Sequence, residues 1–139
     1  MERKRIVVMH AMPMSSRTDD EILETRESEN PRIIEIIHEY FDASVSPENI
    51  MVIDNYTPKD KLKNMTKIKT PDLYFFGRGI KKIMAISDVV VMGDGWRLSR
   101  GCISEAAIAS LYGIPVMELN GKYVRIEEIN FNWKDNKNA

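Results

Sequence analysis

Four short apolar runs limit what this chain can fold into: Ile6–Met9, Ile50–Ile53, Val89–Met92 and Ile114–Met117. Each run is continuous rather than alternating, the pattern of a strand covered on both faces, as in the middle of a parallel sheet. The segments between them carry helix signals. Thr18 and Glu21 are spaced as a capping box, and Asn30-Pro31 predicts a pause in the helix they start. Beyond it, Ile33, Ile36, Ile37, Tyr40 and Phe41 recur at helical spacing. Thr57-Pro58 predicts a short helix near Asp60. Thr70-Pro71 predicts a longer one lined by Leu73, Phe76, Ile80, Ile83 and Met84. Gly77 and Gly79 weaken that helix and admit a close backbone contact. The last helix follows Ser99-Arg100-Gly101, carries Ile103, Ala106, Ala107, Ser110 and Leu111, and ends where Gly113 supplies a left-handed cap. Tyr123–Ile126 is a candidate fifth strand. Strands alternating with helices give an α/β three-layer sandwich around a mostly parallel sheet of four or five strands.

At 139 residues and 16.0 kDa the chain has the size of one domain, read as 1–139 with a polar tail over 132–139. No apolar run approaches the roughly 20 residues needed to span a bilayer, and the N-terminus makes a poor signal peptide. The cytoplasm is the expected compartment. The single cysteine, Cys102, excludes an internal disulfide framework, and His10 and His38 form no zinc-like spacing. Net charge is -1, yet ten acidic and two basic residues lie between Asp19 and Glu48, and eight basic and two acidic between Thr57 and Lys82. The basic stretch lacks the interleaved aromatics of a nucleic-acid surface, so nucleic acid is not the expected partner.

Parallel α/β sheets bind ligands outside the carboxyl ends of their strands, which directs attention to residues 10–17, 54–60 and 93–105. Glu105 lies six residues beyond Ser99, near the start of the last helix. A carboxylate there can attack an anomeric carbon or stabilise the charge developing on it, or it can serve only the helix dipole. Ser99 and Gly101 suit a phosphate-binding helix start, or a plain N-cap and turn. Trp96 can cover a sugar or pack. Arg17, beside Ser15 after the first strand, can neutralise a phosphate or face solvent. Asp88 can contact a site or cap the preceding helix.

The segment Asp88-Val-Val-Val-Met-Gly-Asp-Gly-Trp-Arg-Leu-Ser99-Arg-Gly-Cys-Ile-Ser-Glu105, continuing to Gly113-Ile-Pro-Val116, resembles the nucleoside 2-deoxyribosyltransferase-like superfamily. The likeness is greatest to its small DUF4406-type branch, related to deoxynucleoside monophosphate N-glycosidases. The resemblance implies a flavodoxin-like domain acting on an N-glycosidic bond, with Glu105 as nucleophile and Ser99 and Gly101 holding a 5'-phosphate. It also places Asp88 at the family's recurring aspartate and aligns Met12-Pro13-Met14 with a Gly-Pro turn bearing substrate contacts, with Ser15 and Arg17 on the same rim. Met12 replaces the usual glycine, and Met9 stands where an aromatic residue is common. Asp54, Asn55 and Asp72 are candidates for the base-positioning segment.

The expected function is therefore cleavage or base transfer on a 2'-deoxynucleoside or its 5'-monophosphate, with no cofactor or metal. The alternatives are a non-catalytic nucleotide sensor and a glycohydrolase acting on NAD or another ribonucleotide. A homodimer or larger homo-oligomer is expected from the family's shared sites and from Tyr40, Phe41, Tyr74, Phe75 and Trp133.

Overall fold

The structure of the protein, a computed structural model, describes residues 4–14, 16–58, 60–61 and 71–132, with the backbone course alone for 71–75. Strand β1 (Ile6–Ala11) leads to helix α1 (Asp19–Ile36), which widens into a π turn over Ile37–Phe41. Strand β2 (Ile50–Ile53) precedes helix α2 (Pro71–Ile86), and β3 (Val89–Met92) precedes α3 (Arg100–Leu111). Strand β4 is Val116–Glu118. The order across the sheet is β2-β1-β3-β4, and every neighbouring pair is parallel. The short helix expected near Asp60 and the tail beyond 132 fall largely outside the described residues.

Side chains alternate across the sheet, which is why both faces need helices. Met9 and Ala11 of β1, Val90 and Met92 of β3 and Val116 of β4 share one core with Ile83 of α2 and Ile103, Ala106 and Ala107 of α3. Ile6, Val8, Val89, Val91 and Met117 point the other way, into a core closed by Ile33, Ile36 and Ile37. The result is a three-layer α/β sandwich of flavodoxin-like architecture. Among the described residues, no helix is long and apolar enough to cross a membrane.

The helix starts and stops follow the local chemistry. The Thr18 hydroxyl accepts from Glu21 N–H at 3.2 Å and the Glu21 carboxylate accepts from Thr18 N–H at 3.1 Å, closing the capping box. Gly113, at φ 81°, takes the left-handed position just after α3.

Two expectations are corrected. Helix α1 does not pause at Asn30-Pro31 but runs through it. Proline removes one helical N–H, yet Ile22, Glu29, Ile33 and Ile36 are buried on either side of it, so tertiary packing carries the helix across. Tyr123–Ile126 does not become a fifth strand. A turn at Gly121 (φ 87°) brings the chain back for one antiparallel bridge, Met117 with Tyr123. The backbone then turns at Ile126–Glu128, which lets Val124, Ile126 and Ile129 all reach the α3 side of the core.

Asp88 belongs to the architecture. It lies at the amino end of β3, where its carboxylate accepts from Val7 N–H at 2.8 Å and its own N–H donates to Val7 C=O at 2.8 Å. This clip registers β3 against β1 at the amino ends of the strands, the end of the sheet opposite the one where parallel strands present ligands.

Candidate functional site

Strand order reverses between β1 and β3, and the crevice outside their carboxyl ends is the position the topology offers to a ligand. Gly93-Asp94-Gly95-Trp96 forms a tight turn at the end of β3. Trp96 N–H returns to Gly93 C=O at 3.3 Å, and Gly95 holds φ 78°, ψ 9°, the third-position geometry of a type II turn that only glycine adopts readily. After a short 3-10 turn, Ser99 caps α3, its hydroxyl accepting from Cys102 N–H at 3.3 Å. The nearest atom to a Cβ built at Gly101 is Ser99 Oγ, 3.9 Å away. The fold therefore does not require glycine at 101, and the bare backbone leaves the start of α3 open to approach.

Glu105 sits on the inner side of α3, 5% exposed. Its Oε2 is buried and has no hydrogen-bond partner among the described residues. Burial pushes its carboxyl up to about 8, because the charged form loses hydration without a compensating donor. Gly79 of α2 makes the space: a Cβ there would stand 3.1 Å from Glu105 Cδ and Oε2 and 3.0 Å from Asn55 Nδ2. The close contact expected at the α2 glycines is thus made at Gly79, and it brings the carboxyl and the buried Asn55 amide to the same spot. Gly77 faces open space.

The loop that carries Asn55 is tied down on each side. Arg26 grips Asp54 through two bonds of 2.8 and 2.9 Å, and its guanidinium lies 5.3 Å from the centre of the Tyr56 ring. Burial raises the Asp54 pKa, but Arg26 and the Tyr56 N–H outweigh it and hold the carboxyl below its ordinary value. Arg78 donates to Thr57 Oγ1 and Lys82 to Asp54 C=O. Of the three candidates for base positioning, Asp54 is engaged by Arg26 and Asn55 lies beside Glu105; the Asp72 side chain is outside the described residues.

The remaining candidates divide. Trp96 is 4% exposed and packs in the α3 core; its Nε1–H donates to Glu118 at 3.1 Å, and Arg97 lies 4.3 Å from its ring centre. Met12 is buried against Met14, Ile22 and Tyr56, so it supports the rim from beneath rather than facing a ligand. Arg17 does reach the rim: its Nη1 contacts Thr25 Oγ1 at 3.4 Å and its Nη2 is 3.7 Å from a Cβ built at Gly95. Ser15 lies outside the described residues. Cys102 is buried, and burial together with the Glu105 charge pushes its thiol well above the ordinary range, which suits a packed side chain rather than a nucleophile.

Two clefts flank the Gly93–Trp96 turn. One, about 250 Å³, is lined by Asp94, Arg97, Glu118 and Asn120 among others; the other, about 430 Å³, runs along α1 past Arg17, Thr25, Ser28 and Glu29. Glu105 lines neither. Among the described residues, no group of three His, Cys, Asp or Glu is placed to hold a metal ion.

One buried polar pair has no signal in the sequence. His10, at 0% exposure, donates Nε2–H to Glu29 Oε1 at 2.7 Å, while its Nδ1 lies 3.0 Å from Asn30 Oδ1. Glu29 Oε2 accepts from Asp94 N–H at 3.0 Å. The residues are 19 apart, a separation without a local signature, and Glu29 reads in sequence as one more charge on an acidic helix.

No protein-family model matches the chain, and no curated protein or solved structure matches it significantly. What the fold defines is a class: a parallel, flavodoxin-like α/β sandwich, compatible with nucleotide-binding and transferase-like superfamilies that include the deoxyribosyltransferase-like one.

Proposed function

We propose that the protein cleaves the N-glycosidic bond of a 2'-deoxynucleoside or its 5'-monophosphate, or exchanges the base across it, with Glu105 as nucleophile. The observation that carries this reading is the buried Glu105 carboxyl, with one oxygen unpartnered among the described residues, set against Gly79 and Asn55 on the helix that begins at the open Ser99–Gly101 turn. In the first step a Glu105 oxygen bonds to C1' as the C1'–N bond breaks, and the base leaves with that electron pair and takes a proton from solvent. In the second, water attacks C1' and loses a proton, the ester bond to Glu105 breaks, and the free sugar or sugar phosphate departs; an incoming base in place of water gives transfer. Dividing the substitution lowers each barrier, and fixing the phosphate end at Ser99, the Gly101 backbone and Arg17 orients C1'. Because Glu105 is nearly closed off, the reading requires the α2–α3 side to open as substrate enters.

The attacking form is the anion, and with the carboxyl near 8 only roughly a tenth is ionised at pH 7. Base release is expected to rise about tenfold per unit up to pH 8 and level off above it. The test is a panel of deoxynucleosides with a second base, deoxynucleoside 5'-monophosphates, and NAD, with released base quantified across pH 5–9. Release from a deoxy substrate with this profile supports the proposal. Release from NAD alone makes the protein a ribonucleotide glycohydrolase.

A nucleotide sensor is the second reading, favoured by one observation: neither cleft beside the turn is lined by Glu105. Tight binding of one nucleotide without turnover in the panel would establish it.

Gly79→Ala checks the geometry. The helix gains up to about 1 kcal/mol of propensity, which offsets the crowding, so stability should change little. Base release should fall at least tenfold, because the new methyl group occupies the space between Asn55 and Glu105. A Gly79→Ala variant as active as the parent contradicts this placement.

The protein is also proposed to act as a homodimer or larger homo-oligomer. Tyr40 is half exposed, Phe41 is partly covered by the α1-side core, and Tyr74, Phe75 and Trp133 lie outside the described side chains. Light scattering at micromolar concentration should give a multiple of 16.0 kDa; a single monomeric species would contradict it.

A further inference from the structure

The His10–Glu29 pair has no part in the chemistry assigned to Glu105, yet it lies beneath the crevice between β1 and β3. Its geometry is unusually constrained. Glu29 comes from the middle of α1, His10 from the end of β1 and Asp94 from the turn after β3, and both Glu29 oxygens are used. A Cβ at Gly93 would stand 2.5 Å from Glu29 Oε1 and 3.1 Å from His10 Nε2, so the turn approaches the pair as closely as a bare backbone allows. Gly93 N–H also donates to Ala11 C=O at 2.8 Å. On the far side of the same turn, Glu118 holds Trp96 Nε1. Two carboxylates, from α1 and β4, thus grip the turn from opposite flanks. A buried hydrogen bond adds little net stability beside the orientation it fixes, which makes a positioning use the better account of this pair.

We propose that Glu29, oriented by His10, is a positioning residue that fixes the Gly93–Ser99 rim and, through it, the start of α3 where the substrate's phosphate end is received. This inference rests on the reading of Ser99 and Gly101 given above. Acting through the turn rather than on the sugar or the base, Glu29 would affect binding rather than the chemical step.

The test uses two substitutions in the full chain. Glu29→Met keeps the length of the side chain and removes both acceptors. Glu29→Gln retains both contacts, provided His10 moves its proton to Nδ1: the amide then donates to His10 Nε2, its oxygen accepts from Asp94 N–H, and Nδ1–H faces Asn30. In Glu29→Met, amide exchange over residues 93–98 should accelerate about tenfold or more, the loss expected for one buried bond, while β2 stays as protected as before. The KM for a deoxynucleoside 5'-monophosphate should rise by a similar factor, with kcat within about twofold of the parent and the pH midpoint unmoved. Glu29→Gln should restore both properties.

Unchanged exchange over 93–98 in a folded Glu29→Met protein overturns the proposal. So does a fall in kcat at constant KM, or a Glu29→Gln variant that behaves like Glu29→Met. If Glu29→Met does not fold, the parent decides: slow exchange of the Asp94 amide supports the contact, and exchange at an open-loop rate overturns it. If the parent turns over nothing in the panel, the Glu105 reading fails, while the exchange measurements still decide whether Glu29 holds the rim.

Discussion

At pH 9, Glu105→Gln is expected to be more stable than the parent by several kcal/mol, and to release no base. The folded carboxyl lies at about 8 against an ordinary 4.5. Between those values the folded state holds a proton that the unfolded state has given up, so raising the pH favours unfolding. The stability associated with the protonated group is complete below pH 4.5, declines as pH rises toward 8 and is lost above it. A shift of this size corresponds to at most about 5 kcal/mol, and water entering around the anion reduces it. Glutamine has the same shape and no charge to bury, so its variant lacks this slope. Urea denaturation of both proteins at pH 5 and pH 9 measures the difference: near equality at pH 5 and a clear advantage for the variant at pH 9. Parallel pH dependence of the two would show that Glu105 is hydrated in solution. On the proposed reading, this loss of stability goes with keeping a nucleophilic carboxyl away from water.

Gly93→Ala is the second large effect. The new methyl group would be 2.5 Å from Glu29 Oε1, 3.1 Å from His10 Nε2 and 3.3 Å from Ala11 O. Glu29 is not a free chain end that can swing aside, because His10 and Asp94 N–H hold its two oxygens. Accommodating the methyl group means breaking the His10–Glu29 hydrogen bond and leaving buried polar groups unpaired, a loss of about 1–3 kcal/mol. Gly101→Ala is the matched control, with nothing nearer than 3.9 Å, and should stay within about 0.5 kcal/mol of the parent or gain slightly from helix propensity. Denaturant midpoints of the two variants read the contrast directly. Equal midpoints would mean that the turn is looser than the contacts around Gly93 indicate.

The layered fold was legible because its signals are local. Continuous runs such as Val89–Met92 announce strands buried on both faces, and Thr18 with Glu21 announces a helix start that the hydrogen bonds reproduce. Pro31 misled because the force that carries α1 across it, burial of Ile33 and Ile36 against β-strands, comes from residues distant in sequence. Tyr123–Ile126 misled for a related reason: its alternation suits a strand, but Ile129 must also reach the core.

The candidate site was legible where one segment carries it. Ser99, Gly101 and Glu105 lie on one segment, the cap and first two turns of α3, so the sequence alone places them on the same helix. Asp88 shares that segment in sequence but sits at the opposite end of β3, a distinction only the strand's direction supplies. Trp96 and Met12 are on the expected loops yet face inward, and loop position does not determine which way a side chain turns. Glu29 and His10 had no local signature at all.

Glycosyl transfer through Glu105 requires that one of its oxygens become bonded to C1'. Acid-quenched turnover of the deoxynucleoside 5'-monophosphate that the panel identifies, followed by peptide mapping by mass, tests it most directly. One deoxyribose phosphate ester is expected on Glu105, formed with release of base, discharged when the mixture is left to react with water, and absent from Glu105→Gln. Undiminished base release by folded Glu105→Gln, or a sugar attached at any other residue, would contradict it.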